Sequence, residues 1–375
     1  MSLPDITQAM NIKDYRTATK LIQQLEPSAR QNPLIQLYIA QIYEATNKLP
    51  KAQALYRQLL QDPSNPKVMN QARQGLKRLE NWEAVQRQSA IAQAKTDPGG
   101  SNLGLLILEG IDEGGSPEEK QTQRQLAAQK FAKIMQLDAY SARLQLPSTG
   151  WRLYRTGAVG EMNFYRQQLE AVGIPSFAAA AGDINQVNVF TGHYLKSDNP
   201  PTVICANDQG QVGSLSFQWS EVSQQVVGLL PWFEEVYALD VRRQMQHKTE
   251  TLDYIQICDL HLPERNSIIR LCDRHYQFAE GVFFSPQQAS SQITVRTNWN
   301  NLLAFINQSL PGKPQWSNFT TFGETAIDFG EFLKHIPPHL HLSRPDATPW
   351  DAAFQLYSGL VFQKYIKAMP MVLNE

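Results

Sequence analysis

Cysteine is scarce in this chain: Cys205, Cys258 and Cys272 are the only three among 375 residues. So small and odd a number excludes a disulfide framework and fits a reducing compartment. Long hydrophobic runs are missing too. The longest, at 103–108, falls far short of the about 20 residues that a membrane-spanning helix needs. The opening Met1-Ser2-Leu3-Pro4-Asp5 has no basic stretch followed by an apolar core, so no secretory signal is expected. Neither sign of charge dominates, with 34 Lys and Arg against 35 Asp and Glu. That balance gives no strong nucleic-acid signal and no field toward an anionic membrane. Together these absences predict a cytoplasmic protein with no transmembrane segment, and they leave peripheral membrane attachment open. The sequence also has no phosphate-cradling Gly-Lys-Ser/Thr loop, dinucleotide fingerprint, Gly-x-Ser-x-Gly elbow or His-Glu-x-x-His helix. The commonest enzyme classes lose ground accordingly, and no cofactor is expected.

What is present describes a folded chain, 42% hydrophobic and 18% charged, long enough for two or three domains. Charge is uneven along it. Residues 1–95 hold 13 Lys and Arg against 7 Asp and Glu, so the head is basic and the remainder acidic. An acidic partner, or the chain's own body, would suit that head; a solvated surface is the plainer reading.

Three residues recur 34 positions on as the same residue or class: Ala18 as Ala52, Ile22 as Tyr56 and Leu25 as Leu59. The best repeat spans 32–66. Its first helix carries Ile39, Ala40 and Tyr43 and its second Ala52, Tyr56 and Leu59, with Asn47 in the turn and Pro50 in the first turn of the second helix. A shorter pair precedes it: Ile6, Ala9 and Met10, then 15–25. A third pair, 68–79 and 82–94, keeps Ala72, Gly75 and Leu76 and loses the period after Asn81, as a terminal repeat does. This stretch resembles the tetratricopeptide repeat family, departing from it at Gln36, where the family often has Trp, and at Pro63, which closes the repeat one residue early. The resemblance implies stacked helical hairpins with a groove lined by each first helix. Here that groove is Leu37, Tyr38, Gln41 and Glu44, a partner-binding surface. Leu37 and Gln41 stand where family members that clamp a terminal carboxylate carry Lys, Arg or Asn, so that mode is not supported.

Residues 96–102 read as a linker. A strand at 103–108 is followed by Gly114-Gly115-Ser116-Pro117-Glu118-Glu119, a capping-box helix start, and Asp138 caps a shorter turn. A strand at 151–155, a helix at 161–172 closed by Gly173, and a strand at 174–179 complete a small α+β module over 103–182. Its order of elements is similar to that of two-layer adaptor modules. From 183 to 375, strands are expected at 187–190, 202–206, 214–219, 236–239, 252–257, 267–271 and 293–296, and helices at 299–308, 324–334 and 350–368. The fold class is therefore α+β: a helical repeat domain over 1–95, then a body with mostly antiparallel strands. The runs Gly150-Trp151-Arg152-Leu153-Tyr154-Arg155 and Trp299-Asn300-Asn301-Leu302-Leu303 give the whole chain a resemblance to tetratricopeptide-headed proteins of cyanobacteria. That likeness implies a setting, with photosynthetic complexes as candidate clients, and brings no activity.

Three constellations bear on chemistry. Cys258-Asp259-Leu260-His261 and Cys272-Asp273-Arg274-His275 repeat Cys-Asp-x-His, and Cys258, His261, Cys272 and His275 form a zinc-like ligand set. Against it, Leu262-Pro263-Glu264-Arg265-Asn266 reads as a hairpin turn setting Cys258 opposite Cys272, which leaves the histidines about 20 Å apart along the ladder. Buried core is the simpler expectation for both thiols. His335, His339 and His341 flank Pro337 and Pro338 in what reads as a loop. Arg152, Arg155 and Arg166 beside Trp151, Tyr154 and Tyr165 offer stacking and charge to a nucleotide, or amphipathic packing. The final helix carries Phe354, Tyr357, Leu360, Val361, Phe362 and Tyr365, a core by default. The leading expectation is a non-enzymatic scaffold or assembly factor that binds a protein partner through the helical groove. An enzyme or metal-dependent module in the body, and a nucleotide or RNA binder, are the alternatives.

Overall fold

A computed structural model describes residues 3–61, 65–111, 115–239, 245–285, 294–340, 342 and 348–368. Pro63, Gly114, Ile293 and His341 lie outside that set. The chain divides into two compact units, Met1–Gln93 and Ala94–Glu375.

In the first unit, α1 (Leu3–Asn11) and α2 (Tyr15–Gln23) form one hairpin, α2 being capped by the Asp14 side chain, which accepts from the Thr17 N–H. Helices α3 (Pro33–Ala45) and α4 (Leu49–Leu60) form the next, joined through Asn47 at φ 57°. Asn32 caps α3, and Pro33 sits in its first turn, where the missing N–H costs nothing. α3 is the central helix because it is apolar on two sides. Ile35 and Ile42 pack with Ile6, Ala9, Ala18 and Ile22, while Leu37 and Ala40 pack with Ala52, Tyr56 and Leu59. Val68, Ala72 and Leu79 of α5 (Pro66–Thr96) close that second cluster. The two helices expected at 68–79 and 82–94 are thus one helix of 31 residues. Glu80, Asn81, Trp82 and Glu83 include neither Gly nor Pro, so nothing breaks the chain where the repeat pattern fades. What stops is burial, whose last residue is Leu79.

The second unit begins with β1 (Leu103–Glu109), α6 (Pro117–Met135), α7 (Ala139–Gln145), β2 (Trp151–Ala158), α8 (Val159–Glu170) and β3 (Ser176–Ala180). β1 is central in the order β2-β1-β3 and antiparallel to both neighbours. The capping box at Ser116 and Glu119 is formed in both directions, and the Asp138 side chain caps α7. After the short α9 (Ala181–Asn185) come β4 (Asn188–Asp198), β5 (Pro201–Ala206), β6 (Val212–Ser216), β7 (Gln224–Leu239), β8 (Met245–Leu262) and β9 (Ser267–Cys272). With β10 (Gln315–Trp316) they make one sheet in the order β10-β7-β8-β9-β4-β5-β6. Among the described residues only the β4–β9 and β10–β7 pairings are parallel, so the class is α+β with mostly antiparallel strands.

α10 (Val295–Ser309) covers one face of this sheet through Trp299, Leu302 and Ile306. α11 (Phe319–Ala326), α12 (Gly330–Leu333) and α13 (Pro349–Ala368) cover the other. On that side a single core joins Leu105, Ile107, Trp151 and Leu153 of the small sheet to Val226, Ile255 and Ile257 of the large one. The stretches 103–182 and 183–375 therefore share side-chain packing. α13 is buried on every side from Asp351 to Phe362, as a helix apolar all round should be.

Some expected elements differ. Residues 295 and 296 open α10, because the Thr294 hydroxyl accepts the Thr297 N–H and caps a helix there. The strand expected to Trp219 ends at Ser216, and Trp219–Glu221 is a single 3-10 turn. The helix expected at 324–334 is interrupted by a 3-10 turn at Ile327–Phe329.

Candidate functional site

The four groove residues occupy different environments. Leu37 is fully buried in the α3–α4–α5 core and lines no open surface. Tyr38 is half-buried beside α1, its hydroxyl 3.2 Å from that of Thr7. Gln41 is half-buried. Glu44 is gripped: the Arg78 guanidinium donates to both its oxygens at 2.8 and 2.9 Å, and the Tyr56 hydroxyl donates at 2.6 Å. Burial pushes the Glu44 carboxyl up, and the Arg78 and Tyr56 bonds outweigh it, leaving the group below the usual carboxylate range. Glu44 and Arg78 are 34 positions apart, so the repeat interval ties equivalent helices α3 and α5 together.

The Cys–His constellation is dispersed by register. Cys258 faces Leu271, and Cys272 faces Ile257. The hairpin is thus one residue out from the expected pairing, because a 3-10 turn at Pro263–Arg265 ends in left-handed Asn266 at φ 45°. A slip of one residue turns side chains to opposite faces. Cys258 accordingly packs in the α10 core and Cys272 in the α13 core. His261 also faces α13, and His275 lies in the turn after β9, its N–H donating to the Cys272 carbonyl. The four do not converge, and no group of three metal-binding side chains occurs among the described residues.

His261 instead belongs to a buried polar network. On the α13 face, Gln224 stands opposite His261 across β7 and β8, and Asp259 stands opposite Arg270 across β8 and β9. α13 lays Gln355 and Ser358 over that row. Arg270 donates to both oxygens of Asp259 at 2.9 and 2.7 Å, to Gln355 Oε1 at 2.8 Å and to the Pro338 carbonyl at 2.7 Å. The Ser358 hydroxyl donates to Asp259 Oδ2 at 2.6 Å and lies 3.0 Å from His261 Nε2. Since that hydroxyl's proton goes to Asp259, His261 Nε2 carries the hydrogen and Nδ1 accepts from Gln224 Nε2 at 3.2 Å. Gln224 completes the chain, donating to the Val361 carbonyl and accepting from Trp316 Nε1. Burial lowers the His261 pKa to about 4, with Asp259 opposing and Arg270 reinforcing, so the ring is neutral.

Serine, histidine and aspartate thus meet in a geometry unsuited to nucleophilic catalysis. The hydroxyl is committed to a carboxylate that an arginine already neutralises, and all of these side chains are sealed from solvent. The network fastens α13 to the sheet. Signals for it exist in the sequence: Arg270 interrupts an apolar strand, and Gln355 and Ser358 fall three apart, at helical spacing, in an otherwise apolar stretch of helix.

Two clefts of ligand size open in the second unit. One, of about 600 Å³, adjoins the end of β9 and the start of α10 and is lined by Asp253, Tyr254, Asp273, Arg274 and Arg296. There Asp273 Oδ1 is buried without a hydrogen-bond partner, and burial raises its carboxyl. The second, of about 410 Å³, is lined by β2 residues 152–155, bringing together two of the three arginines singled out in the sequence. The third, Arg166, pairs with Glu170 at 2.7 Å. His335 is exposed and His339 half-buried, at φ 48°, bordering a smaller cavity of about 210 Å³. Comparison with protein-family models, curated proteins and solved structures returned no match.

Proposed function

We propose that the chain is a non-enzymatic interaction protein of the cytoplasm, a scaffold or assembly factor whose helical unit accepts a helix from a protein partner. One observation carries this reading. Gly75, Arg78, Trp82 and Val85 follow one another at helical spacing along a single stripe of α5. The first two meet Tyr56 and Glu44, while Trp82 and Val85 continue the stripe 45% and 60% exposed. Stacked helices bury their apolar faces against the neighbouring layer. Trp82 and Val85 prolong the stripe that faces α3 and α4 past its last buried residue, Leu79, and leave it apolar and uncovered; Trp is a common anchor of protein interfaces. The excess of Lys and Arg in this part of the chain selects a partner helix with acidic flanks.

Lysine-directed cross-linking in the native source, read by mass spectrometry, tests the proposal. Partner peptides joined to Lys67 or Lys77 are expected to be amphipathic and acidic, and to disappear in the Trp82→Ala/Val85→Ala variant while its thermal unfolding stays unchanged. Partner cross-links confined to residues 94–375 would count against it.

A further inference from the structure

The cleft of about 600 Å³ has a floor of sheet and a wall of helix. Its floor follows from register. Cys258 packs in the α10 core, so Gln256 and Tyr254, two and four residues earlier on β8, face the same way. Leu229 of β7 stands opposite Gln256, and just past the end of β9 the Asp273 N–H donates to the Gln256 carbonyl at 3.0 Å. Leu229, Gln256 and Asp273 thus form one row across three strands, on the side that α10 covers. Thr294, Val295 and Arg296, the cap and first turn of α10, supply the wall.

Asp273 is the unusual member of that row. It is 9% exposed, and no N–H or O–H among the described residues donates to its buried Oδ1. Burial raises the carboxyl, and the N–H groups of Gln256 and Arg274 only partly oppose it. Buried polar atoms are ordinarily paired, so an orphaned carboxylate oxygen in a cleft of ligand size marks a position for an incoming donor. The charges around it sort by sign. Arg274 is committed: it donates to Asp253 and lies 5.2 Å from the centre of the Trp232 ring. That pair cancels. It leaves one negative charge in the floor, at Asp273, and one positive charge on the wall, at exposed Arg296, which has no ion pair among the described residues. The Val295 and Arg296 N–H groups precede the first intrahelical bond of α10 and add to the positive side. Leu229 and Tyr254, 44% and 51% exposed, contribute apolar surface.

We infer that this cleft binds a small zwitterion, an amino acid or short peptide with an apolar side chain. Its ammonium group donates to Asp273 Oδ1, and its carboxylate meets Arg296 and the start of α10. The apolar side chain rests on Leu229 and Tyr254. A ligand of one sign alone would leave either the sunken carboxylate or the guanidinium group without a counter-charge. The inference does not rest on the helical unit and stands or falls separately from it.

The test uses the full chain and isothermal titration calorimetry with four probes: phenylalanine, the dipeptide leucyl-phenylalanine, its N-acetyl form and its C-terminal amide. At least one of the two zwitterions is expected to bind, and the tighter of them tells a free amino acid from a peptide. Either blocked dipeptide is expected to bind about tenfold more weakly than the free one. The variants should separate the two ends. Asp273→Asn is expected to cost the free dipeptide and the amide about tenfold and to leave the N-acetyl form unchanged, whereas Arg296→Gln spares the amide and weakens the other two. The blocked probes leave the protein unaltered, so they decide the matter even if Asp273→Asn fails to fold. No binding of either zwitterion at millimolar concentration overturns the inference, as does binding unaffected by Asp273→Asn. Blocked and free dipeptides binding equally would also overturn it, since the cleft would then recognise apolar bulk and no charge.

Discussion

The ring of Tyr56 fills the space in which a side chain on Gly75 would begin: a Cβ there would lie 2.4 Å from Tyr56 Cζ. Ala is ordinarily favoured over Gly inside a helix by about 1 kcal/mol. Here overpacking, typically about 1–3 kcal/mol, opposes that gain, and the ring is held by its Glu44 bond. Gly75→Ala is expected to destabilise the helical unit. Chemical denaturation of Gly75→Ala alone and with Tyr56→Leu checks it, the second change relieving the first.

His261 makes stability depend on pH. Its folded pKa, about 4, is below the ordinary 6.5, so between those values the unfolded chain binds the extra proton. The contribution is complete above pH 6.5, is lost as pH falls toward 4, and changes no further below that. At the extreme it amounts to about 3 kcal/mol. Urea denaturation across pH 4–7 is expected to show this slope, and His261→Gln, which keeps a donor and an acceptor, to flatten it. An unchanged slope would refute the assignment.

Asp259 and Arg270 are both fully buried, 2.7 Å apart. Removing one partner strands a charge, which typically costs about 3–5 kcal/mol. Asp259→Ala is therefore expected to unfold far more easily than the wild type, and Asp259→Leu/Arg270→Met to recover much of the loss. A double-mutant cycle measures the coupling.

All three thiols are buried, and burial pushes each up, Cys272 to about 12. Thiolates are the reactive species. Labelling by a disulfide reagent is expected to be negligible in the native protein and to reach all three cysteines in urea. Rapid native labelling of Cys258 or Cys272 would contradict the packing.

The sequence made local features legible. Ala18, Ala52 and Tyr56 marked helix contacts because small and aromatic residues recur at a fixed interval, and Ser116 with Glu119 marked a helix start because both partners lie within one turn. The Pro263–Arg265 turn was visible, its register not, since one left-handed residue, Asn266, decides which faces Cys258 and Cys272 take. The apolar pattern of α5 fades at Asn81 and so reads as two helices, although fading exposes a helix without ending it. The buried network is not legible in local spacing because its partners are far apart in the chain, 85 residues for Arg270 and Gln355 and 99 for Ser358 and Asp259. Local spacing drew attention to His261 as a ligand, whereas its real partners come from other elements.

α13 has a bearing on biosynthesis. Its side chains complete a core begun by Leu105 and Trp151, so a nascent chain has made every described strand before that core can close. Meanwhile the helical hairpins, whose contacts are nearby in sequence, are free to form on emergence. Between those moments the body's sheets expose their apolar faces, and that interval is when a chaperone would be needed.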